Sequence, residues 1–172
     1  MIRYIESDEH YREVVECLMC GASERLDIAT ANIKAIRILT GKRPIDLLAF
    51  FRKRISEGVR VRVLHSAVPS EYLLRIAGKR PMPEGFAMRR CPRVHQKTII
   101  ADDRLLYIGS ANLTGAGIGA KSSSRRNFEV GVLTDEQSFI DKASSLFEMI
   151  WCGDMCLECG RKGFCPIPLE EF

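Results

Sequence analysis

Val94-His95-Gln96-Lys97-Thr98-Ile99-Ile100-Ala101 reads as a strand, Asp102-Asp103-Arg104 as a turn, and Leu105-Leu106-Tyr107-Ile108 as a second strand ending at Gly109. β-Branched and other apolar residues fill both runs, and the charged triplet between them suits a tight reversal. Upstream, the order of elements is that of an α/β protein. Tyr11, Val14, Val15, Leu18 and Met19 form a helical stripe over 7–19, with Ser7 as the expected cap and Gly21 as the stop. A buried strand is expected over 26–33. A loop follows at Thr40-Gly41-Lys42-Arg43-Pro44, and Pro44 starts a helix through Leu47, Leu48, Phe51 and Ile55 to Gly58. Residues 59–64 alternate as a strand, 71–77 form a short helix, and 78–85 form a Pro- and Lys/Arg-rich loop.

A strand is expected over 86–90, just before the central pair, and another over 128–133, separated from that pair by a Gly/Ser-rich loop over 109–124. A helix over 136–151 carries Phe139, Ala143, Leu146, Phe147 and Ile150 on one side. This alternation indicates an α/β sandwich around a mixed sheet. It divides the chain into a domain over 1–151 and a Cys-rich tail over 152–172.

The chain has 172 residues, 46% hydrophobic and 28% charged, which is enough apolar material for a core and excludes the disordered class. A net charge of +4 permits a polyanionic partner without demanding one. The start shows no apolar leader and no run is long enough to span a bilayer, so a cytoplasmic protein without stable membrane insertion is expected.

On a regular strand His95 and Lys97 share a face, about 6.6–6.8 Å apart, room for one phosphate between them. Imidazole serves as nucleophile or base and the ammonium steadies phosphoryl charge. An isolated pair of this kind reads as a solvated strand end, but this one has company. Ser110 and Asn112 follow Gly109 and offer hydrogen bonds to a phosphate. Glu129 falls on the inner face of its strand, where a carboxylate needs a partner, and His95 is the natural candidate. Basic residues flank the motif: Arg90 and Arg93 before it, Lys121, Arg125 and Arg126 after it, all expected to contact substrate.

His95-x-Lys97-x4-Asp102, Gly109-x-Ala111-Asn112 and Asn127-x-Glu129 together resemble the phospholipase D superfamily, over about 8–151. The resemblance implies an α/β/α sandwich around a mixed sheet and a metal-independent phosphodiesterase. It implies His95 as the nucleophile that forms a phosphohistidine, Lys97 and Asn112 as phosphate clamps, Ser110 as a supporting hydroxyl and Glu129 as the carboxylate that orients the histidine. Asp102 matches the motif's aspartate but falls on the opposite face of a regular strand, so a turn-organising role is expected. Large members carry two motifs and this chain carries one. The resemblance to small single-motif members therefore implies a homodimer with both His95 side chains at one site. A nuclease acting on DNA or RNA is the leading expectation. A phospholipid phosphodiesterase of the cardiolipin type, or a nucleic-acid-binding module without turnover, are the alternatives.

Cys152-x3-Cys156-x2-Cys159-x5-Cys165 lies outside the resemblance. Its spacing suggests a structural zinc, with a 4Fe-4S cluster as the alternative. Arg161 and Lys162 sit between these cysteines, where a metal loop would present them to phosphates. Cys17-x2-Cys20 lies on the first helix and reads as core. Cys91, four residues before His95, reads as a substitute ligand or, preferred here, a redox-sensitive bystander.

Overall fold

The computed structural model describes residues 1–40, 43–161, 163, 165 and 170–171. Parts of two expected features, Gly41-Lys42 of the first loop and Lys162 and Pro166 of the tail, lie outside them.

Eight strands form one mixed sheet in the order β1-β9-β8-β7-β2-β5-β6-β10. They are β1 (Ile2–Glu6), β2 (Arg25–Thr30), β5 (Arg60–His65), β6 (Phe86–Arg90), β7 (Thr98–Ala101), β8 (Leu105–Gly109), β9 (Val130–Thr134) and β10 (Glu170–Glu171). The central strands β2, β5 and β6 run parallel, and the remaining pairs are antiparallel. β3 (Arg37–Thr40) and β4 (Arg43–Asp46) make a separate hairpin.

Both faces are covered. On one, Leu26, Ile28, Val61, Val63, Ile99 and Tyr107 pack against a π-helix (Tyr11–Met19), α1 (Leu47–Ser56) and α2 (Glu71–Lys79). On the other, Ala29, Leu64 and Val94 meet Phe147 and Trp151 of α3 (Gln137–Cys152), while Ile100 and Leu106 meet its Ile140. The alternation along β2, β5 and β7 thus builds the expected three-layer sandwich. Arg62 ties α3 down: it makes two bonds to buried Asp27, both 2.8 Å, reaches Glu148, and lies over the Phe147 ring at 5.0 Å.

Several expectations are corrected. Ser7 does not cap the first helix; it sits in a turn at φ 38 after the unanticipated strand β1, its N–H bonded to Glu129 O at 2.8 Å. Pro44 belongs to β4, and Asp46 caps α1 by accepting from Ala49 N at 2.9 Å. The buried stripe of α3 is Ile140, Phe147 and Trp151, whereas Phe139 and Leu146 are exposed.

Candidate active site

Strand direction explains where the candidate residues meet. β2 ends at Thr30, β7 begins at Thr98, β8 ends at Gly109 and β9 begins at Val130, and the registers Ala29↔Thr98, Thr98↔Ile108 and Gly109↔Gly131 bring these termini to one edge. β1 also finishes there, with Glu6 opposite Val130.

His95 and Lys97 do not lie on a regular strand. Residues 94–97 are irregular and β7 starts only at Thr98. The cause is local: a turn closed by Val94 N on Cys91 O at 2.9 Å, with Pro92 unable to donate to a ladder. The two side chains therefore touch instead of standing apart. Lys97 Nζ donates to His95 O at 2.6 Å and to His95 Nδ1 at 3.3 Å. The His95 ring is exposed, and Lys97 O is held by Gly109 N at 3.0 Å.

Asn112 is built in from two sides. Its Oδ1 accepts from Asn32 N at 3.0 Å, and Thr30 Oγ1 stands 3.4 Å away, which leaves the amide nitrogen as the end available to an anion. Gly117 is needed for this turn, since a Cβ there would lie 2.5 Å from Asn112 O.

Glu129 is buried, and its partners are Ser110 and Asn127, not His95. The Ser110 hydroxyl donates to one carboxylate oxygen, and Asn127 Nδ2 donates to the other at 2.9 Å. Val130 N closes the unit by donating to Ser110 Oγ at 3.0 Å. These bonds satisfy a buried carboxylate, which explains how it is tolerated without the imidazole.

Beneath this unit lies a pair that the sequence reading missed. Tyr107 runs under the β8–β9 glycines: a Cβ on Gly109 would meet its hydroxyl at 2.3 Å, and one on Gly131 its ring at 2.4 Å. The hydroxyl shares a 3.1 Å hydrogen bond with His10 Nε2, and the rings meet edge-on. Burial pushes the Tyr107 phenol above its ordinary value; a bond from Ala111 N–H opposes this and the Glu129 charge adds to it. Burial also holds His10 below its ordinary value, only partly offset by Glu129. The glycine pair was the available signal, but its need is visible only once Gly109 and Gly131 are seen opposite each other.

Asp102 sits in the β7–β8 turn at φ 56, away from His95. Its carboxylate accepts from Ser23 N, Glu24 N and Arg25 N at 2.7–2.8 Å and from the Ser23 hydroxyl, so it tethers the start of β2. Of the basic residues, Arg93, Lys121 and Arg125 are exposed, whereas Arg90 Nε is bound to Ser66 O at 3.0 Å and Arg126 Nε to Lys121 O at 2.6 Å. Arg52 and Arg54, a third basic group, bond the backbone oxygens of Arg80 and Ala22.

The tail departs from its expected form. Among the described residues no three His, Cys, Asp or Glu side chains stand close enough to share an ion. Cys152 is exposed at the end of α3 and does not line the cavity that Cys156, Cys159 and Cys165 line. That cavity, about 820 Å³, adjoins His95 and is walled on its apolar side by Leu146, Ile150, Met155 and Leu157. No helix among the described residues is long and apolar enough to cross a membrane.

Residues 16–151 match a family model described as cardiolipin synthase, PLD-like domain. Cardiolipin synthase A of Pseudomonas entomophila (strain L48) is 31% identical over 108 residues, which are 59% of this chain and 21% of that protein. The chain thus spans about a fifth of the curated relatives it matches. Among solved structures, Nuc from Salmonella typhimurium, described as a phospholipase D family member, superposes with a TM-score of 0.63 at 17% identity, over 88% of this chain and 93% of Nuc. NucT from Helicobacter pylori gives 0.61 at 18% identity, over 86% and 94%.

Proposed function

Since the chain belongs to the phospholipase D superfamily, we propose that it is a metal-independent nuclease in which His95 attacks a phosphodiester. The contact of His95 with Lys97, beside the anchored Asn112 amide, carries this reading. An imidazole nitrogen forms a bond to phosphorus as a P–O bond breaks, giving a phosphohistidine, and water then attacks phosphorus and releases His95. Lys97 and Asn112 stabilise the phosphoryl oxygens, and the Ser110–Glu129–Asn127 unit fixes the loop walls around them.

The departing oxygen needs a proton. His10 and His65 are 0% and 1% exposed, which supports a second subunit's His95 as the acid, one imidazole neutral and the other an imidazolium. Nucleic acid is favoured by exposed groups in one segment: Phe128 is 98% exposed, and Arg125 and Lys121, close to it in the chain, are exposed too, an aromatic face for a base and cations for phosphates.

The apolar wall of the cavity beside His95 favours a second reading, a phospholipid phosphodiesterase of the kind that the relatives' name suggests. One assay separates them. Wild type and His95→Ala are incubated with single-stranded DNA, duplex DNA, RNA and phospholipid vesicles in EDTA, with a zinc-reloaded control for the tail. Cleavage of nucleic acid that falls by at least about 10³-fold in His95→Ala is expected. Lipid turnover alone selects the second reading. Tight nucleic-acid binding without cleavage in either protein overturns both. Phe128→Ala is expected to weaken single-strand binding about tenfold, the loss of one stacked base.

A further inference from the structure

The segment Ser110-Ala111-Asn112 carries two groups of the candidate site, and each of its three residues has its own anchor. The Ser110 hydroxyl is held by Glu129, and Asn112 Oδ1 by Asn32 N at 3.0 Å. Ala111 lies between them, and its N–H faces the Tyr107 hydroxyl oxygen. That hydroxyl also meets His10 Nε2 at 3.1 Å. Gly109 and Gly131 leave the space it occupies, since neither has room for a Cβ over Tyr107. His10 is delivered by the turn at Ser7, φ 38, whose N–H is fastened to Glu129 O at 2.8 Å. The N-terminal segment, β8 and the run into β9 therefore converge under Ala111.

His10 and Tyr107 are 0% and 1% exposed, so neither touches substrate. His10 Nδ1 makes no hydrogen bond of normal geometry. An apolar side chain would fill the same space without burying that nitrogen unpaired, so the use of an imidazole here lies in Nε2. With the Ala111 N–H on its oxygen, the Tyr107 hydroxyl has its own hydrogen to give, and neutral Nε2 is the acceptor. We propose that His10 and Tyr107 are positioning residues for the phosphate clamp: the imidazole accepts from the phenol, which turns the Tyr107 oxygen toward the Ala111 N–H and fixes the backbone that carries the Asn112 amide. Neither residue makes or breaks a bond. The catalytic consequence rests on the phosphodiesterase reading above, whereas the anchor itself does not.

The test uses full-length Tyr107→Phe, which removes the hydroxyl alone, and His10→Leu/Tyr107→Phe, which removes both polar partners so that neither is left unpaired. By NMR, the Ala111 amide is expected to exchange with deuterium at least about tenfold faster in both variants, relative to the Ile100 amide of β7. With bis(p-nitrophenyl) phosphate as substrate, kcat is expected to fall about 10–100-fold in both while KM stays within about twofold. The melting temperature of the double variant is expected to stay close to that of wild type. A double variant that regains kcat together with its melting temperature overturns the proposal, because the pair then only fills space. An Ala111 amide that keeps the wild-type exchange rate overturns it as well. If wild type turns over neither this ester nor nucleic acid, the phosphodiesterase reading fails, and Ala111 exchange decides the anchor by itself. If Tyr107→Phe does not fold, the double variant decides.

Discussion

Single residues govern the ground beneath the site. Gly131 leaves room for the Tyr107 ring, and a methyl group there would stand 2.4 Å from it. Gly131→Ala is expected to cost about 1–3 kcal/mol, the usual range for overpacking, read as a lower urea midpoint. Gly21→Ala, where a Cβ meets nothing within 4 Å, is expected to leave the midpoint unchanged or slightly raised. His10 has a testable sign. Its folded-state value lies below its ordinary one because burial disfavours the cation. Its stabilising contribution is therefore present above the ordinary histidine range and lost as pH falls through the depressed value. Unfolding free energy of wild type should drop across that window, and His10→Gln should flatten the drop in denaturant melts at several pH values. The identities of His95, Lys97, Asn112 and Glu129 as candidates were legible because residue type and spacing carry them. His10 was not, since a lone histidine at the start of a helix has no distinguishing pattern. The partner of Glu129 was misread because a face assignment cannot tell which neighbouring loop arrives first.

At the scale of elements, strands survived prediction better than their ends. The reading of 94–101 as one strand failed at Pro92 and the Cys91 turn, which release four residues from pairing before β7. The α3 stripe was displaced because apolar residues come in adjacent pairs, Phe139-Ile140, Leu146-Phe147 and Ile150-Trp151, and periodicity alone cannot choose between neighbours. The sheet chose the set that reaches Ile100, Leu106 and Leu64. Two joints hold these elements. Asp102 fastens the β7–β8 turn to β2: burial disfavours its charge, but the N–H groups of Arg25, Ser23 and Glu24 and the Ser23 hydroxyl outweigh this and lower its pKa. Asp102→Ala is expected to cost about 1–2 kcal/mol at neutral pH from lost bonds. The difference from wild type is complete above the ordinary aspartate range and vanishes as pH falls through the lowered value. Arg62→Ala leaves the buried Asp27 carboxylate with Arg25 as its remaining cation and should cost about 1.5–3 kcal/mol from the lost charge-assisted bonds, seen as a lower melting temperature with α3 loosened in hydrogen exchange.

At the scale of the whole molecule, this chain carries one His-x-Lys motif, and on the proposed mechanism the subunit count enters the chemistry. If each site uses His95 from two chains, mixing wild type with an equal amount of exchangeable His95→Ala protein should leave about a quarter of the activity, against about half for independent subunits. The measurement is the initial rate against mixing ratio after subunit exchange. The layered fold was legible from alternation of helix and strand, whereas the convergence of termini was not, because it depends on which strands pair. That convergence has a consequence for synthesis. Glu129 joins the site only when β9 is inserted between β1 and β8, where its carboxylate meets Ser110 and Asn127. A chain synthesised only as far as Asn112 therefore carries His95 and Lys97 without the Ser110–Glu129 unit that braces the loop beside them. On the proposed chemistry, a nascent polypeptide that still lacks β9 is not yet competent to cut the message it is read from.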